Sequence, residues 1–393
     1  MRVHADCRHF DGFKPCRFRR PCEGCPEFDR PAHRVLIVNL DALGDVVRTT
    51  ALLAPLHRAL PGAHVTWLIL PRARPLLEQV EGVDRILSLA DWTPALLQVL
   101  QFDLVLGVDK SLHGGALTMA ARATERRGFG LDAHGSVIPL NSEADELYGL
   151  GLDDDLKFRV NRKPETRLLC EAMGWTWERD PYRLGLSDAE GAIAQRWRAE
   201  HGLAPGDVLI GFNTGSSELF PYKRMTVEDS ARLVDRIAQR CPDAGLALLG
   251  GPEDGVRNRR IADLCTVRTP AQTPCDEGLR HGLAMVAACD VVASGDSLGM
   301  HMAIGLGKPT VAWFGPSCHP EIDLYGRGAW VLADVDCRPC MRPRCDRPVK
   351  CYARVPLASM ADQVAIQVEA VRRGEDPDPE VLVGDWPDPL RIE

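Results

Sequence analysis

The chain has 393 residues, of which 45% are hydrophobic and 26% charged, and a formal net charge of −8. These are the proportions of an ordinary globular protein of two or three domains, which excludes a disordered or fibrous chain. From Gly374 to Glu393 the sequence carries a net −6 and four prolines, so the remaining body is nearly neutral and has no basic stripe for a nucleic-acid backbone. No apolar run approaches the roughly 20 residues of a membrane-spanning helix. The charged N-terminus lacks the apolar stretch of a signal peptide, and a cytoplasmic protein is expected.

Taken in chain order, residues 1–33 are rich in cysteine: Cys7, Cys16, Cys22 and Cys25. The run 34–40 (RVLIVNL) predicts a strand buried on both faces. A loop, Asp41–Asp45, follows, and then a helix that Pro61 and Gly62 stop and that Pro55 kinks or shortens in its first part. Strands are predicted at 64–69, 84–89 and 103–108, with helices between them. This alternation signals a parallel sheet covered on both faces. Residues 131–160 read as acidic loop, and Pro181–Ser187 as a hinge.

The pattern restarts with strands at 208–213, 244–249, 290–294 and 310–314, separated by helices from about 227, 255, 278 and 297. The fold class is therefore α/β, with two doubly wound parallel-sheet domains at 34–185 and 186–335. Four cysteines follow in 336–355, then a closing amphipathic helix at 356–373 with Leu357, Met360, Val364, Ile366 and Val368 on or near one face. The acidic tail, 374–393, reads as a solvated or loosely docked extension.

Ligands of such sheets bind beyond the carboxyl ends of the strands, where glycine and hydroxyl residues let backbone N–H groups approach an anion. Four strand ends of the second half have this character. They are Asn213-Thr214-Gly215-Ser216-Ser217, Gly250-Gly251-Pro252-Glu253-Asp254, Ser294-Gly295-Asp296-Ser297-Leu298-Gly299, and Gly315-Pro316-Ser317. Together they point to a nucleotide diphosphate, with Thr214, Gly215, Ser216, Gly251, Ser297 and Gly299 among its expected contacts. Asp41, four residues before Asp45, reads as a strand-end cap.

The segments LIVNLDALGDVVRTT, NTGSSELFPYKRMT, LLGGPED and SGDSLGMHMAIGLGKPTVAWFGP resemble glycosyltransferase family 9, the ADP-heptose:lipopolysaccharide heptosyltransferase family, from about Arg34 to Arg327. The resemblance implies a GT-B fold, two Rossmann-like domains facing a central cleft. It also implies an inverting, metal-independent sugar transfer from a nucleotide sugar, ADP-heptose foremost. The acceptor would be a hydroxyl of a cell-surface glycan such as lipopolysaccharide core or O-antigen, glycan or lipid-linked, or of a protein. Peripheral contact with the inner face of the inner membrane would go with that role. Position by position, Asp45 matches the catalytic carboxylate and Gly44 the glycine before it. Lys223 matches the donor-phosphate lysine, Glu253 the acid near the ribose and Asp296 the acid near sugar and diphosphate, with His301 in the same block. The family's Lys-x-Trp-Pro is here Lys223-Arg224-Met225-Thr226. Two other readings are an epimerase of the same architecture and a non-catalytic metal-binding scaffold.

Cys337, Cys340, Cys345 and Cys351 lie within fifteen residues among Arg338, Arg342, Arg344 and Arg347. In a reducing compartment such spacing reads as a structural metal site for zinc, iron or an iron–sulfur cluster. The protein-modifying branch of the resembled family carries a four-cysteine iron finger late in the chain, which adds iron to the candidates. Cys7, Cys16, Cys22 and Cys25 form a looser second candidate. Cys170, Cys241, Cys265, Cys275, Cys289 and Cys318 read as small buried hydrophobes.

Overall fold

The computed structural model describes residues 3–375 and 380–385. The chain divides into two compact units. The first comprises Met1–Ala42, Ala51–Gly149 and Arg167–Asp180, and the second Leu43–Thr50, Leu150–Thr166 and Pro181–Glu393. The short segment after the first strand thus packs with the second unit.

The first unit holds strands β1 (His33–Asn39), β2 (Ala63–Ile69), β3 (Arg85–Ser88), β4 (Gln101–Gly107), β5 (Arg122–Leu131) and β6 (Val137–Pro139). Their order in the sheet is β3-β2-β1-β4-β5-β6. All neighbours are parallel except β5 and β6. Val35, Leu36, Ile37 and Val38 of the central strand are fully buried, as a strand covered on both faces requires. Strand β5 escapes a reading by hydrophobic pattern because Arg122, Glu125, Arg126 and Arg127 interrupt it, and its carboxyl end with β6 falls in the stretch expected to be loop. The expected single helix after β1 is two, Leu43–Thr49 and Leu53–Ala59, joined by a 3₁₀ turn over Thr50–Leu52. Pro55 has no N–H for the carbonyl of Ala51, so the tightening occurs just ahead of it.

The second unit holds β7 (Leu209–Asn213), β8 (Gly245–Leu249), β9 (Ala271–Gln272), β10 (Val291–Gly295), β11 (Thr310–Phe314), β12 (Gly328–Leu332) and β13 (Val381–Val383). They form a parallel sheet in the order β13-β12-β11-β10-β7-β8-β9. Its core includes Ile210, Leu248, Val291, Ala293 and Val311, closed on one side by helices Val227–Arg240 and Leu357–Arg373. In the closing helix Met360, Val364 and Val368 are buried, but Ile366 is half exposed and leaves the expected apolar face. The tail also departs from expectation, because Val381–Val383 extends the sheet beside β12. The rest of the acidic tail, 376–379 and 386–393, lies outside the described residues. Among the described residues no helix is long and apolar enough to cross a membrane.

Candidate functional site

The chemistry gathers at the carboxyl ends of β7, β8, β10 and β11. Gly295, the last residue of β10, has no room for a side chain: a Cβ there would stand 2.4 Å from the carbonyl oxygen of Lys223. That close approach lays the loop Pro221–Lys223 over the strand end. The ammonium of Lys223 then donates to Asp296 at 2.7 Å, with both side chains at most 15% exposed. Burial opposes the charge of Asp296, but Lys223 outweighs it and holds the carboxyl below its ordinary range. The carboxyl is ionised.

His301 lies on the helix Leu298–Gly305, whose N-terminus Ser297 caps by accepting from the N–H of Met300 at 3.4 Å. Its Nε2 stands 3.8 Å from Asp296, and its ring stacks on Tyr182 with centroids 5.9 Å apart. Burial pushes the imidazole down to about 3 against the pull of Asp296, so it is neutral at physiological pH. Its Nδ1 is buried without a hydrogen-bond partner among the described residues.

Gly44 meets the same ring, since a Cβ there would stand 2.6 Å from Cδ2 of His301. The glycine before the acid is therefore a close-approach glycine, and it fixes the helix Leu43–Thr49 against the helix Leu298–Gly305. Asp45 follows in the first turn and accepts from Arg48 at 2.6 Å. Burial acts against the Arg48 guanidinium, but Glu165, 3.9 Å away, and Asp45 outweigh it and raise its pKa, so Arg48 is a fixed buried cation.

A second knot ties the glycine loops together. Asn213 donates through Nδ2 to Ser297 at 2.9 Å, to Ser294 at 3.2 Å and to the carbonyl of Gly215 at 3.1 Å. Gly299 packs on Asn213, where a Cβ would stand 2.6 Å from the amide carbon. Buried Asp254 accepts from the N–H of Gly251 at 2.9 Å and leaves no room for a Cβ at Gly215. Thr214 donates to Asn258. Ser216 is half-buried, its hydroxyl 3.4 Å from the carbonyl of Phe220, while Glu253 is exposed beside Asp254.

The structure thus joins Gly44, Asp45, Lys223, Asp296, Ser297, Gly299 and His301 in one connected network, with Thr214, Gly215 and Gly251 reached through Asn213 and Asp254. Sequence reading missed Arg48, Tyr182 and Asn258, and named Asn213 and Asp254 only as members of their loops. Arg48 was findable, three residues after Asp45 on a helix and of opposite charge. Tyr182, distant in sequence, left no signal. In the first unit Asp41 shares a hydrogen bond with Asp109, which sequence reading also missed. Asp109 accepts from Asn39 at 2.9 Å and from the N–H of Leu40. Burial, then the charge of Asp41, push Asp109 up to about 8, so the pair holds a proton at neutral pH.

None of the fourteen cysteines is in a disulfide. The C-terminal four flank the Lys223 loop. Cys351 packs on Gly315 and approaches the carbonyl of Tyr222 at 3.9 Å, Tyr352 stacks on Tyr222 with centroids 6.3 Å apart, and the N–H of Cys340 donates to Pro316 at 3.0 Å. Burial first, then the neighbouring Cys340, Cys337 and Cys345, push the Cys351 thiol up to about 11. The other three therefore lie close enough to Cys351 to act on its thiol. No group of three or more Cys, His, Asp or Glu among the described residues is drawn together tightly enough to hold a metal ion.

The family model for glycosyltransferase family 9 (heptosyltransferase) matches residues 95–350. A search of curated protein sequences found no match. Among solved structures, a family 9 glycosyltransferase from Veillonella parvula superposes with a TM-score of 0.62 at 20% identity, covering 77% of this chain and 86% of that one. E. coli ADP-heptose lipopolysaccharide heptosyltransferase II gives 0.61 at 18%, covering 86% and 100%. An E. coli heptosyltransferase with ADP gives 0.54 at 17%, covering 84% and 99%. These likenesses carry the fold, two Rossmann-like parallel-sheet domains of the GT-B kind. The match over most of the chain carries the family, and the protein belongs to glycosyltransferase family 9.

Proposed function

We propose that this glycosyltransferase performs an inverting transfer of a heptose-like sugar from a nucleotide donor, ADP-heptose, to a hydroxyl of a cell-surface acceptor, with no metal taking part in the chemistry. The observation that carries the reading is the network from Asp45 through Gly44 and His301 to the Asp296–Lys223 pair.

An inverting transfer needs one base for the acceptor proton and a cationic environment for the departing diphosphate. Asp45 is the base, and Arg48 orients its carboxylate. Lys223 and the N–H groups of the glycine loops take up the charge that develops on the diphosphate as the glycosidic bond breaks. Asp296 holds Lys223 in place and lies near the sugar. His301, neutral, presents a hydrogen-bonding group and no charge. Thr214, Gly215, Ser216, Gly251, Ser297 and Gly299 line the diphosphate, with Glu253 toward the ribose. The acceptor is a glycan, presented at the inner face of the membrane to a cytoplasmic enzyme. Cys337, Cys340, Cys345 and Cys351 would hold a structural zinc or iron once their side chains drew together, and Cys351 and Tyr352 brace the Lys223 loop through Tyr222.

The test is Asp45→Asn, assayed with ADP-heptose and a heptose-deficient lipopolysaccharide acceptor. Donor binding by calorimetry should be retained while transfer, read by product mass, falls by about 10²–10⁴-fold, the usual worth of a positioned base. Unchanged turnover removes Asp45 from the mechanism.

A further inference from the structure

We propose that Cys7, Cys16, Cys22 and Cys25 bind one thiophilic divalent ion, zinc or ferrous iron, which staples the N-terminal segment; this does not rest on the transferase reading.

From residue 3 to residue 32 the chain forms neither helix nor strand, and Phe13 is 82% exposed. So short a segment, with so little apolar surface to bury, needs a cross-link to keep one conformation. The thiols are not paired with one another. All four instead line a single cavity of about 20 Å³, together with Phe10 and Phe28. That volume accommodates a single water-sized occupant.

The backbone repeats one device at each cysteine. The carbonyls of Cys7, Cys16, Cys22 and Cys25 accept from the N–H groups of Phe10, Arg19, Cys25 and Phe28 at 2.9–3.2 Å. Each thiol therefore begins a tight turn. In Cys22-Glu23-Gly24-Cys25 the turn needs Gly24 at φ +66°, a conformation glycine adopts without strain. Turns of this kind are how short loops present thiolates to a tetrahedral ion.

Four thiolates around a divalent ion leave a net charge of −2, and Lys14, Arg17 and Arg19 lie in the same segment to offset it, while Arg8 and Arg20 are paired with Asp29, Asp84 and Glu27. His4 and His9 are engaged with the rings of Phe28 and Phe18. As they stand, the four thiols are not drawn together tightly enough to hold an ion, so binding must bring them closer.

The experiment uses the full chain, expressed with zinc and iron available and purified under reducing conditions. Elemental analysis is compared between wild type, Cys22→Ser/Cys25→Ser and Cys340→Ser/Cys345→Ser. The first variant should lose one equivalent of metal relative to wild type, and the loss should be independent of the second variant's. Because a variant can misfold, the wild type is also stripped with chelator and titrated with cobalt alone. A tetrathiolate cobalt spectrum should appear, and loading should protect the Arg17–Arg20 stretch from trypsin. Equal metal content in wild type and the Cys22/Cys25 variant overturns the proposal. So do Cys7, Cys16, Cys22 and Cys25 recovered as disulfides, or a stoichiometry of inorganic sulfide that marks a cluster.

Discussion

The two cysteine groups are attached to opposite ends of their sheets. The N-terminal group is tied to the first unit by Arg8, which donates to the carbonyls of Gly62 and Ala63 and pairs with Asp84 at 2.8 Å. These residues stand at the amino ends of β2 and β3. The C-terminal group packs on Tyr222, Gly315 and Pro316, at the carboxyl end of β11 and beside Lys223. In parallel sheets the carboxyl ends carry the ligand and the amino ends carry stability. The same composition therefore has two uses, and perturbing each group should move a different observable.

The largest effect belongs to the pair that the C-terminal group braces. Lys223→Ala leaves the buried Asp296 carboxylate without its cation, a loss of about 3–5 kcal/mol in stability, along with donor binding. Adding Asp296→Asn should recover most of the melting temperature and none of the transfer. If the double variant is no more stable than the single one, the pair is not the electrostatic unit described.

A smaller effect separates the two groups directly. Cys340→Ser/Cys345→Ser should raise the donor KM about tenfold, the equivalent of about 1.4 kcal/mol of lost binding, because the Lys223 loop loses its brace. Cys22→Ser/Cys25→Ser should leave that KM unchanged and lower only the stability of the N-terminal segment. Equal shifts in KM would erase the distinction between the ends. Tyr352→Ala, which removes only the ring stacked on Tyr222, should cost about 0.5–1.5 kcal/mol in donor binding and leave metal content unchanged.

What the sequence disclosed follows the same division. Central strands such as β1 and β7 declare themselves because burial on both faces demands unbroken aliphatic runs. Strands away from the sheet centre do not, since β5, next to the edge strand β6, is interrupted by Arg126 and Arg127, and the edge strand β13 lies in an acidic tail. Among the residues the structure joins in one network, those with a local signature, such as Gly44, Asp45 and the loop around Asp296, stand out in the chain. Those that act through tertiary contact do not. Tyr182 meets His301 from more than a hundred residues away, and Asp109 meets Asp41 across two strands. The packing of Leu43–Thr50 with the second unit was also hidden, because contiguous sequence assigns it to the first.

The two units should also answer pH with opposite signs. Buried His301 has its value pushed down to about 3, so below its ordinary value of about 6.5 the unfolded chain takes up a proton that the native state refuses. Its contribution to stability therefore falls by about 1.4 kcal/mol for each pH unit from about 6.5 toward about 3. Asp109 behaves in reverse: pushed up to about 8, it keeps a proton that the unfolded chain releases near 4. Stability from this group is complete below the ordinary carboxylate value and declines as pH rises toward about 8. The difference between variant and wild type isolates each group from the other titrating residues. Across a pH series of denaturant melts, His301→Gln should gain on wild type as pH falls, and Asp109→Asn should gain as pH rises. If both differences are flat with pH, neither the imidazole in the second unit nor the acid pair in the first is held in the protonation state assigned to it.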